Sequence, residues 1–486
     1  MKTPLIFDAS VNGRKAVTLP ACDVPAVKPL PAKLLRAHDA VLPELSELDV
    51  VRHFTNLSRK NFSVDTHFYP LGSCTMKYNI KSTEKAAALD GFAGLHPFYT
   101  YIPDGGKEVQ GALELVSNLE DMLSEITGMD GFTCQPMAGA HGEYAGIRMI
   151  EAYHNAKGNK KTHVIVPDTS HGTNPASAAM AGYEVITVPS RPDGEMDIEA
   201  LKAAITDNAA AIMLTCPNTL GIFETGIMEI AKIAHSHDTL LYYDGANLNA
   251  ILGKVRPGDV GFDVVHVNVH KTFGTPHGGG GPGAGPVGVK KSLLPFMPLP
   301  KIVKQPGGKF AVVTEDKNSI GNLAPFFGNF GVLVKAYAYI LLLGKEGLID
   351  AAEKAVLNAN YIMEKLKPYF DLPYARRCMH ECVFSALRQT KNGVQALDIA
   401  KYLIDREIHP PTIYFPLIVK EAMMVEPTET ESKETIDSFI EIMIEAAKLA
   451  ESDPSALKNA PVGASIGRPD ETRAARQIDV RMSCGL

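Results

Sequence analysis

"LLYYDGANLNAILGKVRPGDVGFDVVHVNVHK", residues 240–271, contains two short apolar runs separated by a polar segment with several glycines. Asp244 closes the first run and Lys271 follows the second, 27 residues later. This spacing suits one further turn of strand, helix and strand. Strands that are apolar on both faces and joined by helices are typical of a parallel sheet covered on both sides.

The same alternation extends upstream of residue 240. Strands are predicted at "THVIVPD" (162–168), "YEVITVPS" (183–190) and "AAIMLTC" (210–216). Between them, Asp197 is placed as a helix N-cap before "IEALKAAITDN", and "GIMEIAKIAHSHD" carries apolar residues at helical spacing. The sequence therefore predicts a large α/β domain with a mostly parallel sheet.

Three further segments complete the predicted organisation. Residues 1–60 are Pro-rich and then helical, which predicts an arm that packs on a partner; 330–347 predict a long apolar helix ending at glycine; and 351–453 predict an α+β unit. The tail after Pro454 is expected to be irregular. We predict an N-terminal arm and helical segment at 1–90, a large domain at 91–345, and a small domain with tail at 346–486.

Composition narrows the possible functions. The net charge is −7 and the pI about 6.1, without a block of Lys or Arg, so a nucleic-acid partner is not expected. Neither a signal peptide nor an apolar run long enough to span a membrane is evident, so a cytoplasmic protein is expected.

The seven cysteines are an odd and scattered set, which favours reduced thiols. Only Cys378 and Cys382 lie close together, with His380 between them. Zinc binding and buried thiols are both possible readings of this cluster. Because a second pair of ligands is missing nearby, we predict no metal site.

Ligands of open α/β sheets bind beyond the carboxyl ends of the strands. Polar residues close five of the predicted strands, in the runs 168–171, 189–190, 216–219, 244–247 and 270–272. We expect these runs to converge on one crevice. Its candidate side chains are His171, Asn218, Asp244, Asn247, His270 and Lys271.

An acid and a lysine at one sheet edge could be a surface ion pair. They are also the pair that pyridoxal phosphate requires, a lysine for the Schiff base and a carboxylate for the pyridinium nitrogen. His171 could be a structural histidine or could stack on the pyridine ring. The turn at Gly139, Ala140 and His141 opens a helix whose N–H groups would receive the phosphate. The glycine-rich loop after Lys271 is interpreted as a pocket wall rather than a linker.

Together these motifs resemble the glycine dehydrogenase (decarboxylating) family, the P-protein of the glycine cleavage system, over about residues 60–440. The motifs that carry the resemblance are "PLGSCTMKYN" (70–79), "QPMAGAHGEYAG" (135–146), "SHGTNPASA" (170–178), "YYDGANLNA" (242–250), "NVHKTFGTPHGGGGPGAGPVGV" (268–289) and "PFFGNFGVLVKAYAYI" (325–340).

The resemblance implies fold type I of the pyridoxal phosphate enzymes, similar to aspartate aminotransferase. It implies that glycine loses CO₂ and that the aminomethyl group passes to the lipoyl group of H-protein. The chain resembles only the C-terminal half of the family's longer form, so a separate subunit 1, two of each in the complex, is expected. Lys271 is similar to the Schiff-base lysine, Asp244 to the acid at the ring nitrogen, His171 to the stacking residue and residues 139–141 to the phosphate turn.

Two alternatives stay open. Aldolases, cysteine desulfurases and amino-acid decarboxylases use the same lysine, aspartate and histidine on this fold. A non-catalytic scaffold subunit is the second alternative, although it would have no need of all three residues. "PLGSCTMKYN" and "HPFYTYIPD" (96–104) are expected either to line the entrance for the lipoyl arm or to be ordinary packed loops.

Overall fold

The computed structural model describes residues 4–25, 30–38, 40–102, 106–278 and 283–480. Its main sheet has seven strands within these residues, in the order β1-β7-β6-β5-β4-β2-β3. Strands β2 to β6 run parallel, and β7 is antiparallel to both of its neighbours. The strands are β1 Gly131–Thr133, β2 His163–Pro167, β3 Glu184–Val188, β4 Ala209–Thr215, β5 Leu240–Gly245, β6 Val264–Val267 and β7 Val287–Val289.

Helices precede the sheet and connect its strands. The preceding helices are α1 Glu47–Ser58, α2 Lys81–Ala87, α3 Asp90–Ala93 and α4 Gly106–Thr127. The connecting helices are α5 Gly139–Ala156, α6 Thr173–Met180, α7 Ile198–Ala204, α8 Ile227–Ser236 and α9 Val269–Thr272. Short 3-10 turns lie at Ile6–Ala9, Ala32–Leu34, Pro97–Tyr101, Leu248–Ala250, Pro257–Val260 and Lys291–Phe296.

The strands β2, β4, β5, β6 and β7 are buried on both faces, as the apolar strands predict, whereas the edge strand β3 is partly exposed. Leu241 and Tyr243 pack into one apolar cluster, whereas Leu240 and Tyr242 pack into a second cluster on the opposite face. All six residues of β5 are buried. Asp197 is the N-cap of α7, where its side chain accepts hydrogen bonds from two backbone N–H groups. The α/β prediction for this part of the chain is confirmed.

The C-terminal part is α+β, as expected. A hairpin, β8 Lys301–Lys304 with β9 Phe310–Val313, and the helix α10 Phe330–Leu366 lead into it. Its antiparallel sheet has the order β10-β12-β11 and its own apolar core. The elements are β10 Cys382–Ser385, β11 Thr412–Ile413, β12 Ala422–Val425, α11 Leu387–Thr390, α12 Ala396–Asp405, α13 Lys433–Ser452, α14 Pro454–Asn459 and α15 Glu471–Arg476.

Two local predictions require correction. The helix predicted at 330–347 breaks earlier, at Gly344, whose φ of 62° and ψ of −174° are outside the helical region, and a second helical stretch continues from there to Leu366. The tail after Pro454 is not wholly irregular, because it contains α14 and α15. Pro454 itself begins α14, a position where the missing N–H costs nothing.

The N-terminal arm contributes little to the core. Leu19 is 82% exposed, and Leu5, Val17, Leu30 and Leu34 are also exposed. Helix α1 has no buried residue. No helix in the described part of the chain is both long enough and apolar enough to cross a membrane.

Glycines let α5 approach the sheet closely. A Cβ added at Gly146 would lie 2.3 Å from Cε2 of Tyr242 and 3.0 Å from Cγ1 of Val264. At Gly142 it would lie 2.7 Å from the carbonyl oxygen of Gly285. A larger residue at either position would push α5, and with it the start of the helix, away from the carboxyl ends of β5 and β6.

We expect Gly146→Ala to lower the free energy of unfolding by about 1–3 kcal/mol, because the added methyl group overpacks the contact with Tyr242. The matched control is Gly111→Ala in α4, where an added Cβ meets nothing within 4 Å. That change should stabilise the protein by about 0.5–1 kcal/mol through helix propensity. Urea denaturation measures both, and equal effects of the two changes would contradict the close packing of α5.

Candidate active site

Asp244 lies at the carboxyl end of β5, in the middle of the main sheet, and its side chain is 1% exposed. In the register of the parallel strands it stands between Thr215 at the end of β4 and His266 in β6. The strand order therefore surrounds one carboxylate with polar side chains from its neighbours.

Five groups contact the Asp244 carboxylate. Burial by itself would raise the pKa of Asp244, but the facing His171 and His266 and the donated hydrogen bonds hold it well below its usual range. The carboxylate is therefore negatively charged at neutral pH. Oδ2 lies 2.6 Å from Nδ1 of His171, 3.0 Å from Nδ2 of Asn174 and 3.1 Å from Oγ1 of Thr215; Oδ1 lies 3.0 Å from the Ala246 N–H and 3.3 Å from Nε2 of His266.

His266 connects Asp244 to Tyr242. The Tyr242 hydroxyl lies 2.8 Å from Nδ1 of His266. Burial lowers the pKa of His266 to about 4, so the ring is neutral. A neutral ring has one N–H, and the charged acceptor at Nε2 requires it there, which leaves Nδ1 to accept from Tyr242. The tautomer of His266 is thus determined by its two neighbours.

Lys271 is carried by the short helix α9, directly after β6, and is partly buried. Its Nζ donates a 2.7 Å hydrogen bond to the carbonyl oxygen of Ser73. The Ser73 hydroxyl in turn lies 2.8 Å from Nε2 of His171. The structure thus brings Lys271, His171 and Asp244 to one crevice, as the strand ends predict. Ring stacking by His171 remains a prediction.

The start of α5 lies beside the segment that carries Lys271. The first helical bond of α5 is donated by Gly142 to Ala138, so the N–H groups of Gly139, Ala140 and His141 precede it. A Cβ at Gly139 would lie 2.4 Å from Oδ1 of Asn268, three residues before the lysine. A ligand with a phosphate, a carbonyl carbon and a basic ring nitrogen therefore fits the residues present: a helix N-terminus, an amine and a buried carboxylate.

The prediction that Asn218 binds the cofactor requires correction. Its Nδ2 donates to the Gly194 carbonyl at 2.8 Å and to Glu224 at 3.3 Å, and its Oδ1 accepts from the Leu220 and Ile222 N–H groups. All four hydrogen bonds of this amide are used by the turn that follows β4. No capacity is left for a cofactor, so Asn218 is structural.

The other three predicted side chains differ in whether their polar atoms have hydrogen-bond partners. Asn247 donates to the Pro217 carbonyl, but its buried Oδ1 has no partner. His270 also has an unpartnered Nδ1, and burial first, then His277 and Lys271, lower its pKa to about 3. His141 accepts from the Met137 N–H through its ring and therefore caps the turn. Part of the glycine-rich loop, 279–282, lies outside the described residues, as does Cys484.

Sequence reasoning missed several residues of this site. Glu143 accepts hydrogen bonds from Thr173 and Ser177. Its position in α5, four residues after Gly139, was a readable signal, because that spacing returns to the same face of a helix. Ser73 belongs to "PLGSCTMKYN", which was expected at the entrance of the site, but no sequence pattern indicated its contacts with Lys271 and His171.

Cys378 and Cys382 are buried thiols. Among the described residues, His380 instead lies near two buried carboxyl groups: its Nε2 is 3.9 Å from Glu381 Oε1 and 3.9 Å from Glu426 Oε1. Burial lowers the pKa of His380 to about 4 and raises that of Glu381 well above its usual range. Neither carboxyl contacts Lys271 directly, but both contact the loop that contains Ser73.

Two family models match most of the chain. Residues 23–317 match the model described as "Glycine cleavage system P-protein", and residues 351–461 match the one described as "Glycine dehydrogenase, C-terminal domain". Together the two matches include every residue of the crevice described above.

Full-length relatives match the chain almost from end to end. It is 55% identical over 481 residues to the probable glycine dehydrogenase (decarboxylating) subunit 2 of Bacillus licheniformis, covering 98% of both chains. The protein of the same description from Caldanaerobacter subterraneus is also 55% identical over 481 residues, again with 98% of each covered.

Solved structures show the same fold. A glycine decarboxylase (P-protein) in inhibitor-bound form superposes with a TM-score of 0.70 at 20% identity, covering 86% of this chain and 93% of the other. Glutamate decarboxylase of Lactobacillus brevis superposes with a TM-score of 0.66 at 12% identity, covering 86% and 96%. The fold is fold type I of the pyridoxal phosphate enzymes. By its matches along nearly its whole length, the chain belongs to the glycine dehydrogenase (decarboxylating) family, the P-proteins of the glycine cleavage system.

Proposed function

We propose that Lys271, Asp244 and His171 are the catalytic residues with which this chain decarboxylates glycine, the reaction of its family, using pyridoxal phosphate. The observation that carries this proposal is the convergence of a charged, buried carboxylate and a lysine amine on one sheet edge. Lys271 would attach the cofactor. The scaffold alternative has no use for such a carboxylate, which costs free energy to bury.

The role of Asp244 follows from its charge. A carboxylate that stays negative throughout the neutral range holds a proton on a facing ring nitrogen. Pyridoxal phosphate supplies a sink for the electron pair that remains on glycine when CO₂ leaves. His171, held at Nδ1 by Asp244, would lie against the ring, and the N–H groups of residues 139–141 would bind the phosphate.

Glu143 supports Asp244 by staying neutral. Burial, and then the charge of Asp244, raise the pKa of Glu143 to about 8. Glu143 is therefore protonated at neutral pH, and the negative charge that would face a ring nitrogen of the cofactor belongs to Asp244. A second charged carboxylate at this place would weaken the field that acts on the ring.

Family membership as a subunit 2 implies a subunit 1, and we propose that two of each form the complex. The exposed apolar residues of the N-terminal arm, including Leu19 and Leu34, support a large partner surface. We further propose that the aminomethyl group passes to the lipoyl group of H-protein. We also propose a location in the cytoplasm, which the free cysteines among the described residues support.

The described part of 96–104 is the proposed entrance for the lipoyl arm. Phe98 is 62% exposed, and its ring meets that of Phe326 edge-on at 5.2 Å. A cavity of about 170 Å³ lies beside it, lined mainly by apolar residues. Gly328, which also lines this cavity, packs against the residues that precede α5, since a Cβ there would lie 2.6 Å from the Gln135 carbonyl oxygen. Residues 103 and 104 lie outside the described residues.

We expect this chain, combined with subunit 1 and lipoylated H-protein, to release labelled CO₂ from carboxyl-labelled glycine. Lys271→Ala should abolish release, and Lys271→Arg should do the same, because arginine keeps the charge but cannot attach the cofactor. Borohydride reduction followed by peptide mapping should locate the cofactor on Lys271.

Three results would contradict this assignment. The cofactor could be mapped to another lysine, CO₂ release could be equally fast with unlipoylated H-protein, or alanine could be processed as well as glycine. Either of the last two would favour a different decarboxylase on the same fold.

We expect Asp244→Asn to lower kcat by about 100- to 1000-fold, as for other losses of preorganised charge stabilisation. Cofactor affinity should fall by only about tenfold, the order of one hydrogen bond. Asp168→Asn is the matched control, since Asp168 also follows a strand of the main sheet but bonds to Ser190. Wild-type turnover in Asp244→Asn would show that Asp244 is structural.

We expect Glu143→Gln to change the pH dependence of stability. Between pH 4.5 and about 8 the folded wild type holds one proton more at Glu143 than the unfolded chain, so its free energy of unfolding falls as pH rises. Glutamine cannot ionise, and the variant should gain on the wild type across this window, by up to about 1.4 kcal/mol per pH unit. Urea denaturation from pH 5 to 9 measures the difference, with the exposed Glu199→Gln as control. Parallel curves would mean that Glu143 is charged in the folded protein.

A further inference from the structure

The loop "LGSCTMKYN", residues 71–79, lies alongside the segment that carries Lys271. Its residues are about 200 positions away in sequence, and yet contacts recur along its length. Three of these contacts are made with residues 272–277. Lys77 Nζ donates to the Thr272 carbonyl at 3.2 Å, and Asn79 Nδ2 donates to the Gly274 carbonyl at 3.0 Å. His277 Nε2 lies 2.8 Å from the Cys74 carbonyl oxygen.

Ser73 is the residue of this loop that reaches the crevice, and it uses all three of its polar groups there. Its carbonyl oxygen accepts from Lys271 Nζ at 2.7 Å, and its hydroxyl lies 2.8 Å from His171 Nε2. Its N–H donates to Glu381 Oε2 at 2.7 Å. One residue therefore contacts two of the three proposed catalytic side chains and one buried carboxyl group.

Two residues of the loop have a left-handed backbone and are held by buried carboxyl groups. Ser73 has a φ of 63° and Thr75 a φ of 49°, in the left-handed region that few residues other than glycine occupy. Glu426 accepts from the Thr75 N–H at 2.9 Å and from its hydroxyl at 2.5 Å, while Glu381 holds Ser73. Both carboxyl groups are fully buried, so the C-terminal part of the chain fixes the loop.

The hydroxyl of Ser73 has a defined partner. The negatively charged Asp244 lies at Nδ1 of His171 and requires a hydrogen on that nitrogen. Nε2 is then the ring nitrogen that faces the Ser73 hydroxyl, and in a neutral imidazole it accepts the hydrogen bond from that hydroxyl. The orientation and tautomer of His171 are thus determined by Asp244 on one side and Ser73 on the other.

We propose that Ser73 is a positioning residue that orients Lys271 and His171 together. The proposal rests on the function proposed above, since it takes these two side chains to be catalytic. The carbonyl of Ser73 holds the lysine amine in place whenever the amine is not bonded to the cofactor, which restricts a long and otherwise mobile side chain. The hydroxyl keeps the ring of His171 from rotating away from Asp244.

The test compares Ser73→Ala and Ser73→Gly with Thr75→Val in the full chain. Both Ser73 variants lose the hydroxyl, but glycine also relieves the positive φ, whereas Thr75→Val removes a hydroxyl from the same loop that contacts only Glu426. Nitrogen-15 NMR of labelled histidines reports on His171, whose signals are assigned by their loss in His171→Gln. We expect the Nε2 resonance to shift in both Ser73 variants and to stay in place in Thr75→Val.

Kinetics in the complex with subunit 1 provide the second readout. In both Ser73 variants kcat should fall roughly fivefold to tenfold, as for the loss of one hydrogen bond, while the KM for glycine is little changed. Ser73→Gly should be the more stable of the two, yet equally slow. Thr75→Val should be the least stable of the three and lose less rate.

An unchanged Nε2 resonance in Ser73→Ala would overturn the proposal. So would a kcat that follows stability, with Ser73→Gly restored to the wild-type rate, because the role of Ser73 would then be purely structural. The NMR experiment uses neither glycine nor H-protein. A shifted Nε2 resonance in a protein that does not decarboxylate glycine would therefore refute the proposed function and leave the contact between Ser73 and His171 intact.

Discussion

Asp244 is a charged carboxylate buried beneath the carboxyl edge of the main sheet, and most of the site is arranged around it. An unpaired charge at such a place is costly, so the surrounding strands each supply a compensating group. Thr215 comes from β4, His266 from β6 and the Ala246 N–H from the turn after β5. His171, from the loop after β2, and Asn174, from α6, complete the set. The parallel order of the strands is what makes this convergence possible.

The site also depends on close packing between α5 and the main sheet. Gly142 and Gly146 let α5 lie against β5 and β6, which brings the start of the helix to the residues before Lys271. The remaining contacts of Lys271 come from distant parts of the chain. Ser73 belongs to the loop before α2, and the carboxyl groups that hold this loop belong to the C-terminal part. The lysine is thus positioned by three segments that are far apart in sequence.

The sequence pattern indicated the position of those polar side chains that lie at the ends of predicted strands. The convergence of Asp244, Lys271 and His171 could be predicted because they lie at or shortly after the ends of apolar runs, and parallel strands bring such positions together. Asn218 follows a strand too, but its amide is used by a local turn, which no strand pattern reveals. The contacts of Ser73 with Lys271 and His171 could not be predicted, although its loop was expected at the entrance of the site, since they join segments that are far apart in sequence. The helices of the tail were missed because α14 and α15 are short, six residues each, and carry little periodicity.

A crystal structure of the complex with subunit 1 and bound pyridoxal phosphate would show directly whether Asp244 binds the ring nitrogen of the cofactor. The measured quantity is the distance from the ring nitrogen to the carboxylate of Asp244. We expect a hydrogen bond between the ring nitrogen and this carboxylate, with Lys271 Nζ bonded to the cofactor and the phosphate at the N–H groups of residues 139–141. A ring nitrogen that faces another group, with Asp244 bonded only to His171 and His266, would contradict it.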